Sequence, residues 1–170
     1  MSFLELAKAR YSCRKLTATP IEPEKIGRIL QATIAAPTAK NVQPYKIWTI
    51  KSAAAFDKLK QATNYTFGAA LAFVIGAKAE GAFVRPFDGK NFADVDAAIV
   101  ATHMMLSIQD EGLGTTWVGY FDAPKLKELF PEMAGYELIA VFPIGYPAQD
   151  AKPHVRHEDR RSVSEAVAEL

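Results

Sequence analysis

The segment Ala69–Gly76 constrains the fold most strongly, because every residue in it is apolar or glycine. A short, uninterrupted apolar run of this kind is typical of a central strand whose two faces are both covered. The segment Leu138–Ile144 has the same character. Helical patterns lie between these strands, so the sequence predicts a sheet enclosed by helices on both sides.

The remaining elements follow from periodicity and from residues typical of helix ends. Further strands are predicted at Tyr45–Ile50 and Thr115–Val118. Helices are predicted at Phe3–Lys8, Pro23–Ala35, Ala53–Gln61, Phe92–Leu113 and Pro124–Phe130. Ser52 is expected to cap the third helix, and the spacing of Ser162 and Glu165 predicts a capping box and a terminal helix.

The helix predicted at Phe92–Leu113 is apolar on nearly all sides, which is typical of a helix in a core or an interface. His103 lies within it and is therefore expected to be a core histidine. The same pattern favours a packing role for Met104 and Met105.

The length of 170 residues predicts one domain spanning 1–170, and a hydrophobic content of 49% predicts a folded one. The net charge of +1, without a long basic stripe, argues against nucleic acid as a partner. Cys13 is the only cysteine, which favours a reducing, cytoplasmic setting. No apolar run approaches the 20 or so residues of a membrane span, and we expect no secretory signal.

Arg10, Ser12 and Arg14 alternate near the start of the chain. If this segment is extended, the three side chains lie on one face and can converge on a phosphate. A solvated basic turn is the alternative. Arg156, Arg160 and Arg161 make the end of the chain basic as well, which would suit one anion held by both ends.

The stretch from Ala36 to Tyr45 places small, hydroxylic and amide residues between Pro37 and Pro44. Its rigidity and its donors and acceptors suit a planar polar ligand or the edge of a phosphate. A plain connection between a helix and a strand is the alternative.

Together, these motifs resemble those of the nitroreductase-like FMN-dependent oxidoreductases. The matching segments are Arg10-x-Ser12-x-Arg14, the Ala36–Pro44 stretch, Asp110–Asp122, and Ile144–Pro147 continuing to Arg160 and Arg161. The resemblance implies an α+β fold, a three-layer sandwich whose central mixed β-sheet is flanked by helices. It also implies a homodimer, with FMN at the subunit interface and the C-terminal arm of each subunit reaching onto its partner.

The resemblance assigns cofactor-binding residues at both ends of the chain. Arg10 and Ser12 would hold the FMN phosphate, with Tyr11 between them in the same motif, and Arg14 would lie nearer the ribityl chain and the pyrimidine edge of the ring. A cation there would stabilise the negative charge that reduction places on the ring. In the closing arm, Arg160 or Arg161 would complete the phosphate clamp, and Arg156 is a weaker candidate.

The other implied contacts surround the flavin ring. Residues of the partner subunit would close the site, and these are Pro37, Thr38, Ala39 and Asn41. Asn64 would offer its amide to the ring. Gly119 and Tyr120 would present backbone N–H groups near flavin N5, where hydride arrives and leaves, and Tyr120 or Phe121 would line the substrate face.

The implied function is the transfer of reducing equivalents from NADH or NADPH through bound FMN to a small electron-poor acceptor, such as a nitroaromatic or a quinone. The two half-reactions would alternate. The alternative is a protein that stores, delivers or senses FMN without efficient turnover. A metal site at His154 and His157 is not expected, because only Glu158 and Asp159 accompany them. Gly112 and Gly114 do not form a dinucleotide-binding fingerprint.

Overall fold

The computed structural model describes residues 1–170. It contains six α-helices and four β-strands, joined by short 3₁₀ turns and loops. The helices are α1 (Phe3–Ala9), α2 (Pro23–Ile34), α3 (Ala53–Ala62), α4 (Ala93–Asp110), α5 (Ala123–Leu129) and α6 (Val163–Ala166). The strands are β1 (Tyr45–Ile50), β2 (Leu71–Ala77), β3 (Gly114–Thr115) and β4 (Glu137–Gly145).

The four strands form one sheet in the order β1-β2-β4-β3. All three strand pairs are antiparallel, and β2 pairs with β1 on one side over Ala72–Ala77 and with β4 on the other over Leu71–Ala77. The parallel pairing expected of a mixed sheet is confined to one bridge, between Ser12 and Thr115. The α+β fold is otherwise as predicted, with β2 and β4 at the centre of the sheet.

Both faces of the central strand are buried, as the apolar run predicts. Ala72 and Val74 face one core, which α3 and α5 cover. Phe73 and Ile75 face the other core, which α2 and α4 cover. Phe73 is fully buried, and burying a side chain of that size contributes about 1.5–3 kcal/mol. The layers of helix, sheet and helix therefore follow directly from the sequence of β2.

The predicted helix caps are confirmed. The hydroxyl of Ser52 accepts a hydrogen bond from the backbone N–H of Ala55 at 3.2 Å. Ser162 and Glu165 form a complete capping box at the start of α6. The strand predicted at Thr115–Val118 is shorter than expected, because β3 ends at Thr115 and only one bridge, from Val118 to Val141, continues the pairing.

The expectation for His103 is wrong. The imidazole is exposed, and its Nδ1 lies 3.1 Å from the carbonyl oxygen of Ile99. The side of α4 that packs against the sheet carries Val100, Met104 and Ile108, and His103 lies on a side of the helix that nothing in the chain covers. No helix has both the length and the apolar character needed to cross a membrane.

The segment after α1 is extended and is held by hydrogen bonds to other parts of the chain. Cys13 N–H donates to Thr115 O at 2.9 Å, and Leu16 N–H donates to Phe67 O at 2.8 Å. The side chain of Cys13 is fully buried, whereas its neighbours Ser12 and Arg14 line a surface cavity. The predicted alternation of this segment is therefore present.

Two glycines allow the segment to approach the sheet closely. A Cβ atom on Gly114 would lie 2.9 Å from the side chains of Cys13 and Leu16. A Cβ atom on Gly145 would lie 2.7 Å from the backbone oxygen of Thr17, a contact that requires the backbone to move. Glycine at these positions thus fixes where Arg10, Ser12 and Arg14 lie.

Candidate functional site

A strongly cationic cavity of about 530 Å³ lies between the start and the end of the chain. Four arginines line it, and no carboxylate does. The lining residues are Arg10, Tyr11, Ser12, Arg14, His154, Arg156, His157 and Arg160. None of these arginines has a salt-bridge partner, whereas Arg28 and Arg85 elsewhere in the chain both do. The cavity therefore concentrates positive charge that the protein does not neutralise.

The charges of Arg10 and Arg160 oppose each other in this cavity. Partial burial lowers the pKa of Arg10, and the nearby positive charge of Arg160 lowers it further. Two guanidinium groups that repel each other are stabilised by an anion placed between them. The hydroxyl of Ser12 adds a neutral donor, so the donor set fits a phosphate group.

His157 joins the C-terminal arm to α1 and Tyr11, and His154 orders the arm locally, roles that the sequence did not reveal. His157 Nε2 lies 3.0 Å from the carbonyl oxygen of Lys8 at the end of α1, and its ring meets Tyr11 edge-on at 6.3 Å. His154 Nδ1 accepts a hydrogen bond from the backbone N–H of Arg156 at 3.2 Å. In the sequence, only the position of His154 and His157 within the basic C-terminal arm pointed to such a role. No group of metal-ligating side chains is present.

Tyr11 also lines the cavity. Burial, together with the neighbouring Cys13 thiol, raises the pKa of Tyr11 to about 12. The phenol therefore stays neutral at physiological pH and adds no negative charge to the anion site.

A second, more apolar cavity of about 180 Å³ adjoins the first, and Arg14 lines both. Its walls include Tyr65, Phe67, Trp117 and Gly119. Aromatic side chains in the lining suit a planar ring. Arg14 thus lies at the junction of a phosphate-sized charged site and a site for a flat ligand.

Gly119 and Tyr120 leave polar groups free at this second cavity. Their backbone N–H groups make no hydrogen bond within the chain. A Cβ atom on Gly119 would meet nothing within 4 Å, so that face of the backbone is open. Two free donors on an open backbone can bind acceptor atoms at the edge of a planar ligand.

A third cavity, of about 400 Å³, continues outward from the same backbone. Tyr65 and Tyr120 line both this cavity and the second one, and their rings meet edge-on at 5.7 Å. The Thr63 hydroxyl donates to Tyr120 O at 3.0 Å and accepts from Tyr65 N–H at 3.2 Å. Asn64 and Phe121 line this outer cavity and not the cavity at Arg14.

Some of the residues predicted for the site lie elsewhere in the single chain. Arg161 does not line the cationic cavity, whereas Arg160 and Arg156 do. The loop residues Pro37, Thr38, Ala39 and Asn41 line none of the three cavities. They lie next to α4, where Ala39 N–H donates to a carboxylate oxygen of Asp96 at 2.9 Å.

Comparison with known proteins places the chain in a family. The model of the Nitroreductase family matches residues 7–67 and 58–146, which together include most of the chain. The chain belongs to the nitroreductase family. The matched residues include the Arg10–Arg14 segment, the Pro37–Asn41 loop and the Gly119 backbone, whereas the fourth predicted motif, which continues to Arg160 and Arg161, extends beyond residue 146.

Individual relatives agree with this assignment. A nitroreductase family protein from Clostridium difficile 630 is 36% identical, with a TM-score of 0.90, and the match covers 99% of this chain and 98% of that one. A protein of Archaeoglobus fulgidus named "Putative NADH dehydrogenase/NAD(P)H nitroreductase" is 28% identical over 92% of this chain and 91% of its own length. A nitroreductase-fold structure from Exiguobacterium sibiricum 255-15, described as a complex with FMN, is 17% identical, with a TM-score of 0.85 and coverage of 100% and 98%.

Proposed function

We propose that this nitroreductase family member binds FMN and uses it to pass reducing equivalents from NADH or NADPH to a small electron-poor acceptor. The observation that carries the proposal is the position of Arg14, which lines both the cationic cavity and the aromatic cavity. FMN has the corresponding parts in the same order, a phosphate dianion joined by a polar chain to a flat ring. The relative from Exiguobacterium sibiricum, described as a complex with FMN, supports the choice of cofactor.

The residues fit the two ends of this cofactor differently. At the phosphate end, the guanidinium groups of Arg10 and Arg160, neither of which has a carboxylate partner, and the hydroxyl of Ser12 supply charged and neutral donors. At the ring end, the free N–H groups of Gly119 and Tyr120 supply donors for the N5 edge. Arg14 would lie between these ends, close to the pyrimidine edge of the ring.

When bound, FMN supplies hydride transfer at N5, which the protein's own side chains cannot perform. The protein's task is then to orient donor and acceptor and to exclude water. Tyr65 and Tyr120 flank the opening between the ring cavity and the outer cavity. Their rings would hold a flat nicotinamide or acceptor close to the open backbone of Gly119.

We also propose that a second copy of the chain completes the site with its Pro37–Asn41 loop. In one chain this loop lines none of the three cavities, although its sequence belongs to the family region. The side chain of Val42 beside it is 40% exposed, and Phe3 and Leu4 of α1 are 72% and 62% exposed. Burial of this exposed apolar surface against a second copy would stabilise a homodimer.

The test is the absorption spectrum of the purified protein after FMN is added, recorded without oxygen before and after NADH or NADPH. We expect a bound flavin whose visible absorption bleaches with a nicotinamide and returns when a quinone is added. Bound FMN that no nicotinamide reduces would favour storage or delivery of the cofactor. A protein that takes up no FMN would refute the proposal.

A further inference from the structure

The loop from Thr38 to Gln43 has an unusual backbone. Lys40, Asn41 and Gln43 have φ values of 52°, 54° and 55°, in the left-handed region that residues other than glycine rarely adopt. All three side chains are exposed, so burial in this chain does not select the conformation. Residues held in such a strained conformation are concentrated at ligand-binding sites, and the surrounding structure must hold them there.

Most hydrogen bonds that hold the loop are made within the loop itself. Asn41 N–H donates to Thr38 O at 2.9 Å, and Gln43 N–H donates to the Thr38 hydroxyl at 3.0 Å. The one side-chain acceptor from another element is Asp96 Oδ1, which lies on α4 and accepts from Ala39 N–H at 2.9 Å. Asp96 therefore ties the loop to the rigid core helix.

The burial of Asp96 is costly. Its side chain is 1% exposed, it has no salt-bridge partner, and its Oδ2 has no hydrogen-bond donor. A carboxylate buried with one oxygen unsatisfied destabilises a fold relative to an apolar residue of similar size. The neighbouring Asp94 is exposed and already supplies an acidic side chain to the first turn of α4. Asp94 can therefore interact favourably with the positive end of the α4 dipole, and Asp96 is not needed for that purpose.

We infer that Asp96 is a positioning residue, whose carboxylate holds the Thr38–Gln43 loop in the conformation that contacts the flavin bound by a second copy of the chain. The inference rests on the proposed function. Asp96 does not touch the cofactor and acts through Ala39 N–H. The loop is preformed at the expense of folding stability, so that FMN does not have to order it upon binding.

The test compares variants that keep or remove the side-chain oxygen of residue 96 that accepts the hydrogen bond from Ala39 N–H. Asp96→Ala removes it, and Asp96→Leu removes it while filling the buried volume. Asp96→Asn keeps an acceptor oxygen. Asp94→Asn is the matched control, because it removes the same charge from an exposed position in the same turn. The readouts are hydrogen exchange at the Ala39 amide without FMN, the dissociation constant for FMN, and competition by inorganic phosphate.

We expect exchange at Ala39 to be about ten-fold faster or more in Asp96→Ala and Asp96→Leu, and FMN to bind about ten-fold more weakly, because a hydrogen bond to a charged group is lost. Asp96→Asn should stay within about three-fold of the wild type in both measurements, as should Asp94→Asn. The affinity for inorganic phosphate should not change in any variant, because Asp96 does not line the cationic cavity.

Each contrary result has a distinct meaning. Unchanged hydrogen exchange at Ala39 in folded Asp96→Ala and Asp96→Leu would overturn the inference, because the Asp96 carboxylate would then not hold the loop. Faster exchange with unchanged FMN affinity would overturn it as well, and would leave Asp96 a purely structural role. If the wild type itself does not bind FMN, the proposed function fails and the inference fails with it.

Discussion

Replacement of Arg160 by alanine should change two properties of the protein in opposite directions. Without FMN, Arg160 repels Arg10, and this repulsion contributes to the lowered pKa of Arg10. With FMN, the same guanidinium would bind the phosphate. Arg160→Ala should therefore weaken FMN binding and, at the same time, stabilise the FMN-free protein.

The two effects differ in size. Loss of a hydrogen bond between charged groups costs about 1.5–3 kcal/mol, which raises the dissociation constant for FMN about 10- to 150-fold. Relief of repulsion should raise the free energy of unfolding by at most about 1 kcal/mol, because Arg160 is exposed and water screens it. That gain should disappear in about 1 M salt, where charges more than about 3 Å apart are screened.

Fluorescence titration with FMN and thermal unfolding at low and high salt measure both effects. Arg161→Ala is the matched control, since it removes the same charge one residue away, outside the cavity. It should leave FMN affinity within about two-fold, as expected for an exposed charge. Equal loss of affinity in the two variants, or none in either, would refute the assignment of Arg160 to the phosphate site.

Three further changes test other parts of the site. Arg14→Ala should lower the midpoint potential of bound FMN, because a cation near the pyrimidine edge favours reduction; an unchanged potential in a redox titration would exclude that role. Spectroscopic titration of Tyr11, identified by comparison with Tyr11→Phe, should give a midpoint near pH 12. Because folding raises the pKa of Tyr11 from 10, the stability that the neutral phenol contributes is complete below pH 10 and is lost between pH 10 and about 12. A titration midpoint near pH 10 would contradict the burial of Tyr11. Gly145→Ala should lower the thermal midpoint by several degrees and weaken FMN binding, because its Cβ would lie 2.7 Å from Thr17 O. Gly135→Ala is the control and should do neither, because a Cβ atom there meets nothing within 4 Å. Equal effects of the two variants would contradict the close approach of the Thr17 backbone to Gly145.

Much of the fold could be predicted because it depends on local patterns. The apolar run of β2 identified a strand covered on both faces, and hydrogen-bonding residues such as Ser52 and Ser162 marked helix starts correctly. His103 was misplaced because the sequence of α4 is apolar on nearly all sides, and only the packing of other layers decides which side is covered. Periodicity describes a helix but not its neighbours.

The lining of the cationic cavity could be predicted where its residues come from one segment, and less well where segments distant in the sequence meet. The alternation of Arg10, Ser12 and Arg14 predicted one face of the cationic cavity. That Arg160 and not Arg161 lines the cavity depends on the path of the C-terminal arm, which in turn depends on contacts such as that of His157 with Lys8 O. The buried carboxylate of Asp96 gave no signal, because its role depends on a loop more than fifty residues earlier, and the hydrogen bond between them joins residues 57 positions apart.

The most direct test of the account is a crystal structure of the protein with FMN. We predict that the phosphate lies between Arg10 and Arg160, that Arg14 approaches the pyrimidine edge, and that the ring lies against the open backbone of Gly119 within hydrogen-bond reach of its N–H. FMN bound elsewhere, or with its phosphate outside the arginine cavity, would contradict the central claim that these adjoining cavities form a single flavin site.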